Sequence, residues 1–200
     1  MLVFIRKALI ALVLLISSGC FKPYNVLALW TGAIFVVVAV GYLFGALKDA
    51  PGKDVHTGQI PIARLILFLP YFTVIAVVMM LSWLNSRIRR HQPYTLIHGN
   101  VYVGDYMSSF GDMEWKSVVD ITNELPRLTR AAYYLNVPSW DGVPPTIDEI
   151  QKAVQFIRQS EGPILVHCAH GKGRSVTVVV AYLRYINACR SISEGIKKVC

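Results

Sequence analysis

A cysteine and an arginine separated by five residues, two of them glycine, can together hold an oxyanion and attack it. They occur in His167-Cys168-Ala169-His170-Gly171-Lys172-Gly173-Arg174-Ser175, between the apolar run Ile164, Leu165, Val166 and a helical pattern that begins at Val176. A strand that ends in a glycine-bearing loop and turns at once into a helix points several backbone N–H groups inward and adds the positive end of the helix dipole. Ala169, His170, Gly171, Lys172 and Gly173 would supply those amides. Gly171 and Gly173 are expected to permit the close approach and positive φ of such a curl, and Arg174 offers a planar fork for two phosphate oxygens. In that field the thiol of Cys168 should ionise well below its free value of about 8.5, giving a nucleophilic thiolate at neutral pH.

A phosphoryl group taken up by Cys168 leaves behind an alkoxide or phenoxide that needs a proton, so the chemistry requires an acid over the loop. Asp141 is the best candidate: Val137-Pro138-Ser139-Trp140-Asp141-Gly142 follows an expected strand, and Gly142, Pro144 and Pro145 mark a loop before Thr146. A plain turn residue is the alternative reading of Asp141. Asp120, in an expected buried strand, and Asp148, in the first turn of a helix, already have structural uses. A zinc site on His167, Cys168 and His170 would need a fourth ligand and lacks a paired spacing. A nucleotide-binding P-loop fails because Lys172 is followed by Gly173, where Ser or Thr is needed. The loop itself brings the positive charge that a metal would otherwise supply, so neither metal nor cofactor is expected.

At this point the sequence resembles the dual-specificity and protein tyrosine phosphatase superfamily, the cysteine-dependent phosphatases. Their signature is His-Cys, five residues, Arg, then Ser or Thr, and His167, Cys168, Gly171, Arg174 and Ser175 match its fixed positions. Aliphatic, Pro, two residues, Asp at Val137 to Asp141 is similar to the general-acid loop of the dual-specificity branch. Asn100-Val101-Tyr102-Val103-Gly104 and Ala181-Tyr182-Leu183 extend the likeness over residues 94–199, and none of it covers the apolar half. Residues and resemblance together imply a two-step hydrolysis of phosphate monoesters through a cysteinyl phosphate. Cys168 attacks, Arg174 and the amides of residues 169–173 hold the equatorial oxygens, Asp141 is acid and then base, and Ser175 helps the thiolate leave. His167 orients the loop.

Phosphoproteins carrying phosphotyrosine or phosphoserine/threonine are the first substrate reading. His170 and Lys172 make the loop more basic than its architecture requires, and Gly-Lys-Gly-Arg is similar to phosphoinositide phosphatases of the tensin type. That points to a phospholipid headgroup, a phosphoinositide or phosphatidylglycerophosphate, as the alternative. A catalytically idle phosphate-binding module is a third.

The elements that must position these residues fall into two regions of different composition. The 200-residue chain is 54% hydrophobic with a mean hydropathy of +0.46, and the excess lies before residue 85. Nine Lys/Arg against two acids precede residue 91, while eleven stand against ten after it, so +7 of the net +8 belongs to the apolar half. This is no nucleic-acid footprint, and no nucleic-acid motif accompanies it. Residues 1–90 are expected to be a membrane region with two or three hydrophobic helices at about 2–19, 26–47 and 60–84. Val26 to Leu47 is 22 residues without a charge, enough to cross about 30 Å at about 1.5 Å per residue. In the third stretch Pro61 reads as a start and Pro70 as a kink. Ser17-Ser18-Gly19-Cys20 faintly resembles a lipoprotein cleavage site. Lys48 to Gln59 reads as an exposed connector. Arg87, Arg89 and Arg90 argue for a cytoplasmic C-terminal end of the third helix, as does a thiolate that works in a reducing compartment. Arg6 and Lys7 disfavour the external N-terminus that three spans would then require.

Residues 91–200 are expected to form the catalytic domain, an α/β fold with a small central sheet flanked by helices. A hairpin over 95–98 and 101–104 turns at His98-Gly99-Asn100, with further strands at 117–121, 134–137 and 164–167. Thr146 and Glu149 have capping-box spacing ahead of a helix that runs to about residue 160. The helix after the phosphate loop is expected over Val176 to Ala188, and Ser191 with Glu194 can cap a last one.

Overall fold

The computed structural model describes residues 25–88, 92–110 and 113–199. The expectations for residues 2–19, Cys20, Arg89, Arg90, His91 and Cys200 lie outside them.

Short apolar runs bounded by turns build a five-stranded sheet in the order β1-β2-β5-β3-β4. Its strands are β1 (Tyr94–His98), β2 (Val101–Gly104), β3 (Ser117–Asp120), β4 (Tyr133–Asn136) and β5 (Ile164–His167). β1 pairs with β2 antiparallel, closing the expected hairpin, and every other pairing is parallel. A central parallel strand is covered on both faces, so β3 and β5 are buried throughout and read as continuous apolar runs. The period of two assigns the faces. Ile164 and Val166 join Val119, Ile157 and Val179 on one side, while Leu165 and Val118 meet Trp115 on the other.

Helices α4 (Ile147–Gln159), α5 (Arg174–Tyr185) and α6 (Ile192–Val199) flank the sheet. α4 begins with the expected capping box: the Thr146 hydroxyl accepts from the Glu149 amide, and the Glu149 carboxylate accepts from the Thr146 amide. α5 starts two residues earlier than the apolar pattern indicates, because Arg174 and Ser175 occupy its first turn. It also stops earlier. Asn187 takes φ +58° and the Ala188 amide donates to the Leu183 carbonyl, a left-handed stop that propensity alone does not reveal.

Ahead of the sheet lie α1 (Asn25–Phe44), α2 (Ile62–Leu67) and α3 (Leu69–Ile88). α1 and α3 are long and apolar enough to cross a membrane, with mean hydropathies of 2.3 and 1.5 over their candidate spans. The expected single helix over 60–84 is divided at Phe68, since Pro70 has no N–H to donate to Ile66.

The connector between α1 and α3 corrects the sequence reading, because apart from the exposed turn of residues 54–57 it is docked on the catalytic half. Lys53 is buried and its ammonium donates to Asp120 Oδ2 at 2.6 Å and to the Thr122 carbonyl and hydroxyl at 3.0 Å each. The Lys48 ammonium lies 2.9 Å from Glu149 Oε1, and the Lys48 carbonyl accepts from Asn123 Nδ2. The Gly58 carbonyl accepts from the Arg127 amide at 2.8 Å. Lys48, Lys53, Gly58 and Gln59 find partners across the interface, while the turn of residues 54–57 bonds within itself and stays exposed.

Burial opposes the charge of Asp120, but Lys53 and the Thr122 hydroxyl hold its carboxyl below the usual carboxylate range. Burial lowers the Lys53 pKa, and Asp120 opposes that shift. Lys53→Ala should therefore strand a buried carboxylate at a cost of about 3–5 kcal/mol. Removing Lys116 from its exposed pair with Glu161 should cost under about 1 kcal/mol. Because the Asp120 pKa is depressed, the stability it supplies is present above about pH 4 and lost as pH falls through its folded value. Urea titrations of both variants between pH 3 and 7 measure both effects.

Candidate functional site

Parallel strands deliver their C-terminal ends to one edge of a sheet, and that edge carries the site. β5 ends at His167, β3 at Asp120, β4 at Asn136 and β2 at Gly104. The loop from Cys168 to Gly173 leaves β5 and enters α5, as the spacing requires. It lines a cavity of about 1100 Å³ together with Gly104, Asp105, Asp141, Gly142 and Thr177. The far wall comes from α3, through Ser82, Asn85 and Ser86.

Gly171 has φ +69°, and a Cβ there would lie 2.9 Å from the Gly104 carbonyl, so both reasons for a glycine apply. Gly173 differs from expectation: its φ is −120° and a side chain would meet open space. Ala169 is buried against Tyr106 and Leu125, where Ile75 and Met79 of α3 also pack, so only its backbone faces inward chemistry. His170 and Lys172 are exposed on the pocket wall.

Cys168 is 3% exposed, with its Sγ 3.3 Å from the Ser175 hydroxyl. Burial works against ionisation of the thiol. The Arg174 charge, the Ser175 hydroxyl and amide and the His170 amide outweigh it and bring the pKa below the ordinary thiol value. His167 is buried beside the Cys168 backbone, with Nε2 3.9 Å from Asp120 Oδ1. Burial pushes its pKa down against the pull of Asp120, so the imidazole is neutral at pH 7.

Arg174 is held from three directions. Glu124, 1% exposed, takes it through both oxygens, at 2.8 Å from Nη2 and 3.3 Å from Nη1. Nη1 also donates to the Ser139 carbonyl at 2.5 Å, and Nη2 stands 3.3 Å from Asp141 Oδ1. The guanidinium therefore joins the nucleophile loop to the loop that carries the proposed acid. Sequence reasoning missed Glu124; its one signal is a carboxylate in Thr122-Asn123-Glu124-Leu125, directly after a buried parallel strand.

The loop before Asp141 is fastened to the N-terminal helices. Trp140 is fully buried, its indole N–H donates to the Ala46 carbonyl at 2.9 Å, and its ring lies 5.3 Å from Tyr42 and 6.2 Å from Tyr71. Gly41 of α1 faces the indole so closely that a Cβ would come within 2.7 Å of it. None of these partners was legible in sequence, because they lie about 70 to 100 residues away. Among the described residues no group of three or more His, Cys, Asp or Glu could hold a metal ion.

A thiol of lowered pKa at the C-terminal edge of a parallel sheet, with the His170 and Ser175 amides turned to it and the charge of a pinned guanidinium near it, is the arrangement of a cysteine-dependent phosphatase site. The family model described as the dual specificity phosphatase catalytic domain matches residues 101–199, and this half of the chain belongs to that superfamily. No curated protein sequence matches the chain. Among solved structures it is similar to Tk-PTP in its active form, at 24% identity over 55% of this chain and 83% of that one, with a TM-score of 0.46. It is similar to human DUSP28, at 18% identity over 54% and 79% with a TM-score of 0.44. It is also similar to PTPMT1 in complex with PI(5)P, at 23% over 54% and 81% with a TM-score of 0.45.

The lowered thiol pKa has a direct readout. The rate of iodoacetamide alkylation of Cys168 should hold up as pH falls below the ordinary thiol midpoint of about 8.5. Ser175→Ala, which removes a hydrogen bond to the thiolate, should move the midpoint upward. A wild-type midpoint at the ordinary value would contradict the electrostatics described.

Proposed function

We propose that this chain is a membrane-anchored phosphatase that hydrolyses phosphate monoesters through a cysteinyl phosphate, with its catalytic half on the cytoplasmic side. The observation that carries this reading is the Cys168 thiol, its pKa lowered by the charge of Arg174, with Asp141 in contact with the same guanidinium. Cys168 attacks phosphorus in line, the bond from phosphorus to the ester oxygen breaks, and protonated Asp141 gives its proton to that oxygen. Asp141, now a base, takes a proton from water as the water attacks the phosphocysteine, which releases inorganic phosphate and the thiolate. Ser175 stabilises the departing sulfur by hydrogen bonding. Arg174 and the amides of residues 169–173 bear the charge of the equatorial oxygens, and Glu124 keeps the guanidinium oriented for it.

Phosphoproteins, with phosphate on Tyr or on Ser/Thr, suit an open pocket of this size. One observation favours a second reading, a phospholipid headgroup: part of the pocket wall is the polar stripe of α3, whose outward face is exposed and largely apolar. Phosphotyrosine peptides compared with phosphoinositides and phosphatidylglycerophosphate in vesicles separate the two readings, the preferred class having the higher kcat/KM.

Cys168→Ser should abolish turnover of an aryl phosphate while vanadate binding persists, and undiminished turnover would remove it as nucleophile. Asp141→Asn should slow esters with poor leaving groups by at least about tenfold more than p-nitrophenyl phosphate, within the range of general acid catalysis. Gly41→Val, by displacing the Trp140 indole, should reproduce part of that selectivity without touching the thiol. Equal losses on both ester types in Asp141→Asn would exclude it as the acid.

A further inference from the structure

The docked connector decides how α3 can meet a membrane. α2, which runs into α3, begins just after residues that are held by the catalytic half, through Lys53 to Asp120 and Gly58 to Arg127, and α3 leads into that same half at β1. Between its ends it stays on the domain. Tyr71 touches Trp140, Ile75 and Met79 pack with Tyr106 and Ala169, and Ser82 and Ser86 line the phosphate pocket. Residues 71 to 86 cover about 22 Å at about 1.5 Å per residue, a large part of a hydrocarbon core of about 30 Å. An upright α3 would carry Arg174, Glu124 and the exposed Lys172 into hydrocarbon with it, a placement no ordinary pairing offsets.

The outward side of the same helices is nonetheless apolar and uncovered. Ile62 is 75% exposed, Ile66 62%, Met80 60% and Leu81 56%. At the end of this face Arg87 stacks over Trp83 at 5.1 Å, and Arg89 and Arg90 follow in sequence. An apolar strip that ends in an aromatic and a row of arginines matches the boundary between acyl chains and anionic headgroups.

We infer that α2 and α3 lie in the plane of the bilayer, sunk into one leaflet that contains anionic lipid, with the connector and the catalytic half on the same side. The inference rests on the membrane-anchored reading and changes what anchoring means: α3 is a float rather than a span. It also relieves the conflict in charge, since with one crossing fewer Arg6 and Lys7 and the arginines that follow α3 can share a compartment. The pocket wall formed by Ser82 and Ser86 then lies at headgroup depth.

The test uses the whole chain in sealed membrane vesicles of known orientation. One epitope is inserted after Val55, in the exposed turn of the connector, and another is appended at the C-terminal end; protease is added before and after detergent. Both epitopes should be lost together or protected together before detergent, and the protein should stay with the membrane at pH 11. Loss of one with protection of the other until detergent would show that α3 crosses, overturning the inference while the anchored reading stands. Recovery in the soluble fraction, as a monomer or as a dimer with a second copy on the apolar face, would overturn both. If the insertion prevents folding, Val55→Cys in a chain whose other cysteines are serine, labelled with an impermeant maleimide, gives the same readout against the C-terminal epitope.

Discussion

A guanidinium with 4% of its surface exposed cannot remain at the edge of a sheet unless its charge is answered. Glu124 answers it with both carboxylate oxygens, and the consequences spread outward. The fork is fixed in one plane, with Nη1 also donating to the Ser139 carbonyl and Nη2 reaching Asp141. The positive charge lowers the thiol pKa. The proposed nucleophile, oxyanion site and acid loop are thus referenced to one ion pair, whose Glu124 follows the end of β3.

A second buried pair stands beside the first and serves a different purpose. Lys53 and Asp120 lie under the same strand ends, but the lysine arrives from the segment between two apolar helices. With Lys48 on Glu149 and Ala46 on Trp140, it joins the N-terminal elements to both ends of the loop that holds Asp141. The two regions that composition separates so sharply are one packed unit where the chemistry happens. Sequence composition reports what solvent an element could tolerate, and not what it touches.

That distinction sets what was legible beforehand. The phosphate loop could be read because all its parts are consecutive: strand, glycines, arginine and helix start occupy residues 164–176, and each constrains the next. The strands, the capping box at Thr146 and the position of Asp141 between β4 and α4 were readable for the same local reason. Glu124, Lys53 and the aromatic seat of Trp140 were not, because their roles exist only after parallel strands align residues far apart in the chain. Gly173 shows the opposite error. A glycine in a functional loop suggests backbone necessity, yet here its φ is negative and its surroundings are open.

Gly41 carries one more implication. The indole of Trp140 occupies the place where any other residue would have a side chain, so it fits α1 at only one azimuth. Successive residues of a helix are about 100° apart, and turning α1 by a single position would present Val40 or Tyr42 to the ring instead. α1 is therefore keyed like a shaft in a hub, and a torque applied anywhere along its apolar length is transmitted to the peptide that precedes Asp141.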